Sequence, residues 1–163
     1  MISASEKGIH SEITKRCKSI LFRFDATQEV SLGHLKRCFS LARALSESPG
    51  LTISFACHDD IVARQILDGT KFTTFWVPQK LEHQTDAKET LRIASQFGAK
   101  TIFLDSYAAN DQYFSIIREA GLKSAYFEDK LDLDCSADII INGLIGAEKL
   151  SYNSSQTMLG PKY

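Results

Sequence analysis

From Ser19 to about Asn142, short apolar runs rich in β-formers alternate with longer stretches whose apolar residues recur at helical spacing. The runs Ile20–Asp25, Leu51–Cys57, Phe72–Val77, Thr101–Asp105, Lys123–Glu128 and Asp138–Asn142 predict strands. Between them, His34–Glu47, Asp60–Asp68, Asp86–Phe97 and Asn110–Ala120 predict helices. In the first helix Leu35, Phe39, Ala42 and Leu45 share a face, while Lys36, Arg43 and Glu47 point elsewhere. The fourth strand, Thr101 to Leu104, is almost wholly apolar, the pattern of a parallel strand covered on both sides. Gly69, Gly98 and Gly121 each follow a helical run, where a left-handed residue ends the helix. Asp86 with Glu89, and Asn110, read as helix N-caps. Strand–helix alternation with right-handed crossovers gives an α/β fold, a doubly wound, mostly parallel, Rossmann-like sheet.

Outside this stretch the pattern fades. Residues 1–18 read as a polar lead-in, 19–142 as the α/β domain, and 143–163 as an irregular tail with at most a short turn around Ala147–Leu150. The abrupt end at Tyr163 fits either the first half of something larger or a natural short protein. At 163 residues, 44% apolar and 24% charged, the chain suits one hydrophobic core. A net charge of −1 provides neither the basic field that nucleic acid needs nor a polybasic membrane patch. No stretch has the length and apolarity of a membrane span. Cys17, Cys38, Cys57 and Cys135 form no Cys-x-x-Cys pair and read as reduced thiols of a cytoplasmic protein. P-loop, dinucleotide-binding and zinc-protease motifs are missing, so no cofactor and no metal are expected. A local site must carry the function.

In an open parallel sheet, ligands bind beyond the carboxyl ends of the strands, where strand order reverses. Asp25, Asp105 and the pair Glu128-Asp129 end predicted strands, so these acids should converge on one rim. The first strand–helix connection runs Asp25-Ala-Thr-Gln-Glu-Val-Ser-Leu-Gly-His-Leu-Lys-Arg37 and exceeds the usual two to six residues. Gly33 permits close backbone approach to a ligand, and the helical turn after it can hold an anion. His34 falls in that turn. The positive helix end disfavours an imidazolium by about 0.3–1 kcal/mol, which favours the neutral ring a general base requires. Lys36 and Arg37 oppose the same dipole, a conflict that a bound diphosphate, a carboxylate or a rim acid would relieve. Arg37 is placed to reach Asp25 or Asp105, Tyr107 to lay its ring or hydroxyl against a sugar, and His58 to join the rim.

Taken in order, Arg23-Phe-Asp25-Ala, Val30-Ser-Leu-Gly33-His34-Leu-Lys-Arg37-Cys38, Phe55-Ala-Cys57, Asp105-Ser-Tyr107, Glu128-Asp129-Lys-Leu131, Asp138-Ile-Ile-Ile-Asn142 and Leu159-Gly-Pro-Lys-Tyr163 resemble the pseudaminic-acid pathway hydrolases. The related spore-coat polysaccharide proteins share this signature. The resemblance implies the N-terminal half of a two-domain, B-type glycosyltransferase-like fold, acting on a UDP-diacetamido-trideoxyhexose and releasing UDP. It implies that His34 activates water at the anomeric carbon, and that Asp25, Ser31, Gly33, Arg37, Asp105, Tyr107 and Asp129 line the substrate. Ser31 stands where the family usually carries glycine, Glu128 where it carries aspartate, and Ser106 where it often carries histidine.

The implied partners are the UDP-sugar and a C-terminal nucleotide-binding domain, in cis or in trans. Positioning can account for about 7–11 kcal/mol of a barrier. The N-terminal half alone is therefore expected to turn over weakly or not at all. Other readings stay open: a glycosyltransferase of the same fold, a non-catalytic nucleotide-sugar module and, much less favoured by the strand placement of its acids, a phosphoacceptor receiver.

Overall fold

All six residues of β1 (Ser19–Phe24) are buried, Arg23 among them, and the strand lies inside the sheet, third of seven. This computed structural model describes residues 19–27, 32–131 and 134–162; the predicted lead-in over 1–18 and the candidate Ser31 lie outside them. After β1 come α1 (Gly33–Leu45), β2 (Thr52–His58), α2 (Ile61–Leu67), β3 (Thr73–Val77), α3 (His83–Phe97), β4 (Thr101–Asp105), α4 (Asp111–Glu119), β5 (Lys123–Phe127) and β6 (Ile139–Asn142). A 3₁₀ turn at Ala147–Lys149 leads to β7 (Gln156–Leu159).

The strands form one seven-stranded sheet in the order β3-β2-β1-β4-β5-β6-β7, and every pairing is parallel. The alternation along β1 sorts its side chains between two layers. Ile20, Phe22 and Phe24 face the layer containing Leu35, Cys38, Leu41 and Leu45 of α1 with Ala63 and Leu67 of α2. Leu21 faces the layer containing Ala87, Ile93 and Ala94 of α3 with Tyr113, Phe114 and Ile117 of α4. Helices on both faces, with the order turning back between β1 and β4, make this a doubly wound Rossmann-like fold.

Aromatic packing stiffens the α1–α2 side. Phe22 stacks on Phe103 with ring centroids 4.9 Å apart, and Phe55 meets both Phe22 and Phe24 edge-on. Such pairs add about 0.5–1.5 kcal/mol each beyond the area they bury. The result is a firm floor beneath the first turn of α1.

Two predictions are corrected. The tail after Asn142 is not irregular: Gln156–Leu159 adds a strand beside β6, in register from Ile139↔Gln156 to Asn142↔Leu159. Tyr152 ties the same segment inward, its hydroxyl donating to buried Glu128 at 2.5 Å. Asp86 is not a cap, because α3 begins a turn earlier at His83 and the Asp86 side chain is buried inside it. Asn110 does cap α4, accepting from the Tyr113 amide at 2.9 Å. Gly69, Gly98 and Gly121 all have positive φ, as their places after helices require.

Candidate active site

The register of β1 against β4 sets Phe24 beside Asp105, so Asp25 and Asp105 emerge together at the switch point. The Asp25 amide donates to the Asp105 carbonyl oxygen at 3.2 Å. His34, the second residue of α1, is 6% exposed, and its Nδ1 lies 2.9 Å from that same carbonyl. A carbonyl oxygen only accepts, so Nδ1 carries a proton, and in the neutral tautomer this leaves the lone pair on Nε2. The Asp105 carboxylate lies farther from Nδ1, at 3.5 Å, and is engaged by Arg37. The main-chain bond therefore sets the tautomer.

Asp105 is 1% exposed and receives both Arg37 Nε and Arg37 Nη2, a forked pairing. Arg37 Nη2 also donates to Asp129 at 2.9 Å, and its guanidinium sits 4.9 Å from the Phe127 ring centre. Burial opposes the charge on Arg37, but the bonds and charge of Asp105, helped by Asp129, outweigh it and raise the Arg37 pKa. Cys38 Sγ approaches Asp105 at 3.5 Å, and its thiol is pushed up by burial first and then by that carboxylate. Arg37 thus joins the ends of β4 and β5, as one of its two predicted pairings required.

Asp25 plays a different part. It is 4% exposed and accepts from Ser106 Oγ at 3.0 Å, the Tyr107 amide at 2.8 Å and Arg23 Nη1 at 3.2 Å. It therefore holds the loop after β4 instead of facing outward. That loop presents Tyr107, 52% exposed, with its ring 4.9 Å from the His34 ring. Lys130 clamps it from above, donating to the Tyr107 carbonyl at 3.1 Å with its ammonium 5.2 Å from the ring centre. Gly33 opens α1, whose first turn holds no acid and whose N-cap residue, Leu32, makes no side-chain cap bond.

Beneath this surface lies a cluster that the sequence did not reveal. Arg23 is fully buried and pairs with Asp86 through Nε at 3.1 Å and Nη2 at 2.5 Å. Tyr113 donates to Asp86 at 2.7 Å, and its hydroxyl lies 2.7 Å from that of Thr90. Burial would raise the Asp86 pKa, but the charge and bonds of Arg23, with the Tyr113 hydroxyl, hold it below the usual carboxylate range. His58 Nε2 lies 3.0 Å from Arg23 Nη2. The legible signal was Arg23 itself: a cation inside an otherwise apolar central strand must have buried partners.

Among the described residues, no group of three or more His, Cys, Asp and Glu side chains is placed to hold a metal ion. None of their helices is long and apolar enough to cross a membrane. No protein-family model and no curated protein matches this chain.

Proposed function

We propose that this chain is the base-bearing domain of a nucleotide-sugar hydrolase that releases UDP from a diacetamido-trideoxyhexose. His34 Nε2 accepts a proton from water as the water oxygen bonds to the anomeric carbon. The bond from that carbon to the diphosphate oxygen breaks, and its electron pair leaves with UDP. The observation that carries the reading is the 2.9 Å contact between His34 Nδ1 and the Asp105 carbonyl, which makes Nε2 the basic nitrogen.

Three further features support it. The positive end of α1 favours the neutral form of an imidazole, the form a general base needs. The acid-free first turn of α1 and the cation Lys130 favour a diphosphate, whose developing charge must be stabilised as the bond breaks. The exposed Tyr107 ring beside His34 offers a face to a sugar. A C-terminal nucleotide-binding domain, in cis or in trans, would hold the uridine end.

The test is UDP release from the nucleotide sugar, with such a domain supplied. The expected result is release that falls by about 10²–10⁴-fold in His34→Ala. Near-normal release by that variant removes His34 from the role.

A further inference from the structure

His58 ends β2, next to the buried Arg23–Asp86 pair, and nothing in the hydrolase reading uses it. A guanidinium has only donors, so His58 Nε2 must accept from Arg23 Nη2 across their 3.0 Å contact. The ring is then neutral with its proton on Nδ1. That nitrogen is buried without a hydrogen-bond partner, and Asp25 Oδ1 stands 3.6 Å away, just beyond bonding reach. The charged groups around the ring are Arg23 of β1, Asp25 just past β1, and Asp86 of α3, whose Oδ2 is 4.0 Å from Nε2.

The two rings of His58 and His34 are linked through one carboxylate. Asp25 holds Ser106 Oγ and the Tyr107 amide, and the same loop carries the Asp105 carbonyl that orients His34 and the Tyr107 ring that lies against it. Protonating His58 removes the lone pair that receives Arg23 and sets two cations face to face. It also gives Asp25 Oδ1 a charged competitor to Ser106 and Arg23.

We propose that His58 is a pH-responsive positioning residue: neutral, it leaves Asp25 free to clamp the 105–107 loop, and protonated, it draws Asp25 away and loosens the His34 base. Only the term "base" rests on the hydrolase reading; the coupling between the rings does not. Burial first, and then the Arg23 charge, lower the His58 pKa despite the opposing pull of Asp25 and Asp86, so the loosening belongs to mildly acid pH.

The experiment is an NMR titration of the intact chain from pH 7.5 to 4.5, following the Tyr107 amide proton, the His34 Nδ1 proton and the imidazole nitrogens. His58→Gln keeps an acceptor for Arg23 and cannot titrate. The expected result is a Tyr107 amide and His34 Nδ1 inflection at the midpoint of His58, lost in His58→Gln while the folded spectrum is kept. An inflection that persists in His58→Gln assigns the change to another group and overturns the proposal. So does a His58 titration that leaves Tyr107 unmoved. If His58→Gln does not fold, the wild-type comparison of the His58 and Tyr107 midpoints still decides. In the UDP-release assay the acid limb should lose the component at the His58 midpoint in His58→Gln and keep the one that protonation of the His34 base imposes. Failure to release UDP at any pH, with the NMR coupling present, would count against the hydrolase reading and not against the coupling.

Discussion

Asp86→Ala should be among the most destabilising single changes in this molecule. Asp86 and Arg23 are 1% and 0% exposed, and Asp86 supplies the acceptors for Arg23 Nε, Arg23 Nη2 and the Tyr113 hydroxyl. Removing it leaves a buried guanidinium facing His58, with the Asp25 carboxylate at 3.2 Å and the Phe24 carbonyl at 2.7 Å left to compensate. Breaking one side of a buried pair costs about 3–5 kcal/mol. For a domain of this size each kcal/mol lowers Tm by about 2–4 °C, so the expected fall is roughly 6–20 °C. Urea unfolding followed by circular dichroism, with thermal melts, measures it. Replacing both charges by apolar groups of similar volume, Arg23→Met with Asp86→Leu, should recover much of the loss, giving a coupling of at least about 2 kcal/mol in the double-mutant cycle. A cost below about 1 kcal/mol for Asp86→Ala would refute the claim that this pair anchors α3 to the central strand.

Other outcomes follow from the same contacts. Arg37→Ala leaves the buried Asp105 carboxylate without its forked partner and should cost about 1–3 kcal/mol in urea unfolding; Arg37→Lys, which cannot fork, should recover only part of it. Stability should fall on acidification in two windows, read from urea midpoints at a series of pH values. His58 has a lowered folded pKa, so its contribution is present above its ordinary value near 6.5 and is lost as pH falls from there through the folded value. Asp86 is lowered from 3.8, so its share is lost only below that. A midpoint that rises between pH 7 and 5 would contradict the His58 sign. Cys38, Cys57 and Cys135 are buried, and burial pushes the Cys57 thiol up to about 12. These three should react slowly with a thiol reagent in the native protein and quickly in urea, and rapid native labelling at Cys38 would contradict its packing under Asp105.

The layer order of this fold was legible because its cause is local. Apolar runs the length of strands alternate with helical-period faces, and the usual doubly wound order sets β1 beside β4 at the switch point, as found. The convergence of Asp25, Asp105 and Asp129 followed from the strand ends alone, whereas Arg37 could have reached Asp25 or Asp105 and only the structure chooses Asp105. What escaped depended on contacts distant in sequence. Asp86 has Glu89 three residues on, which looks like a cap, and only the partner 63 residues away reveals its buried charge pairing. The strand Gln156–Leu159 is short, sits among serines and glycine, and forms because β6 offers an open edge. Asp25 and Asp105 looked alike as rim acids, yet one holds a loop and the other anchors an arginine, a difference set by Arg23, Ser106 and the Tyr107 amide.

The oxygen that fixes the His34 tautomer belongs to the peptide unit of residue 105, not to its side chain. Every amino acid carries that oxygen. Drift at position 105 can abolish the arginine anchor while the histidine keeps the same nitrogen protonated, so long as the backbone stays where β1 and β4 place it. Proton-acceptor chemistry and salt-bridge architecture at this rim can therefore diverge independently, one written in the chain's path and the other in its alphabet.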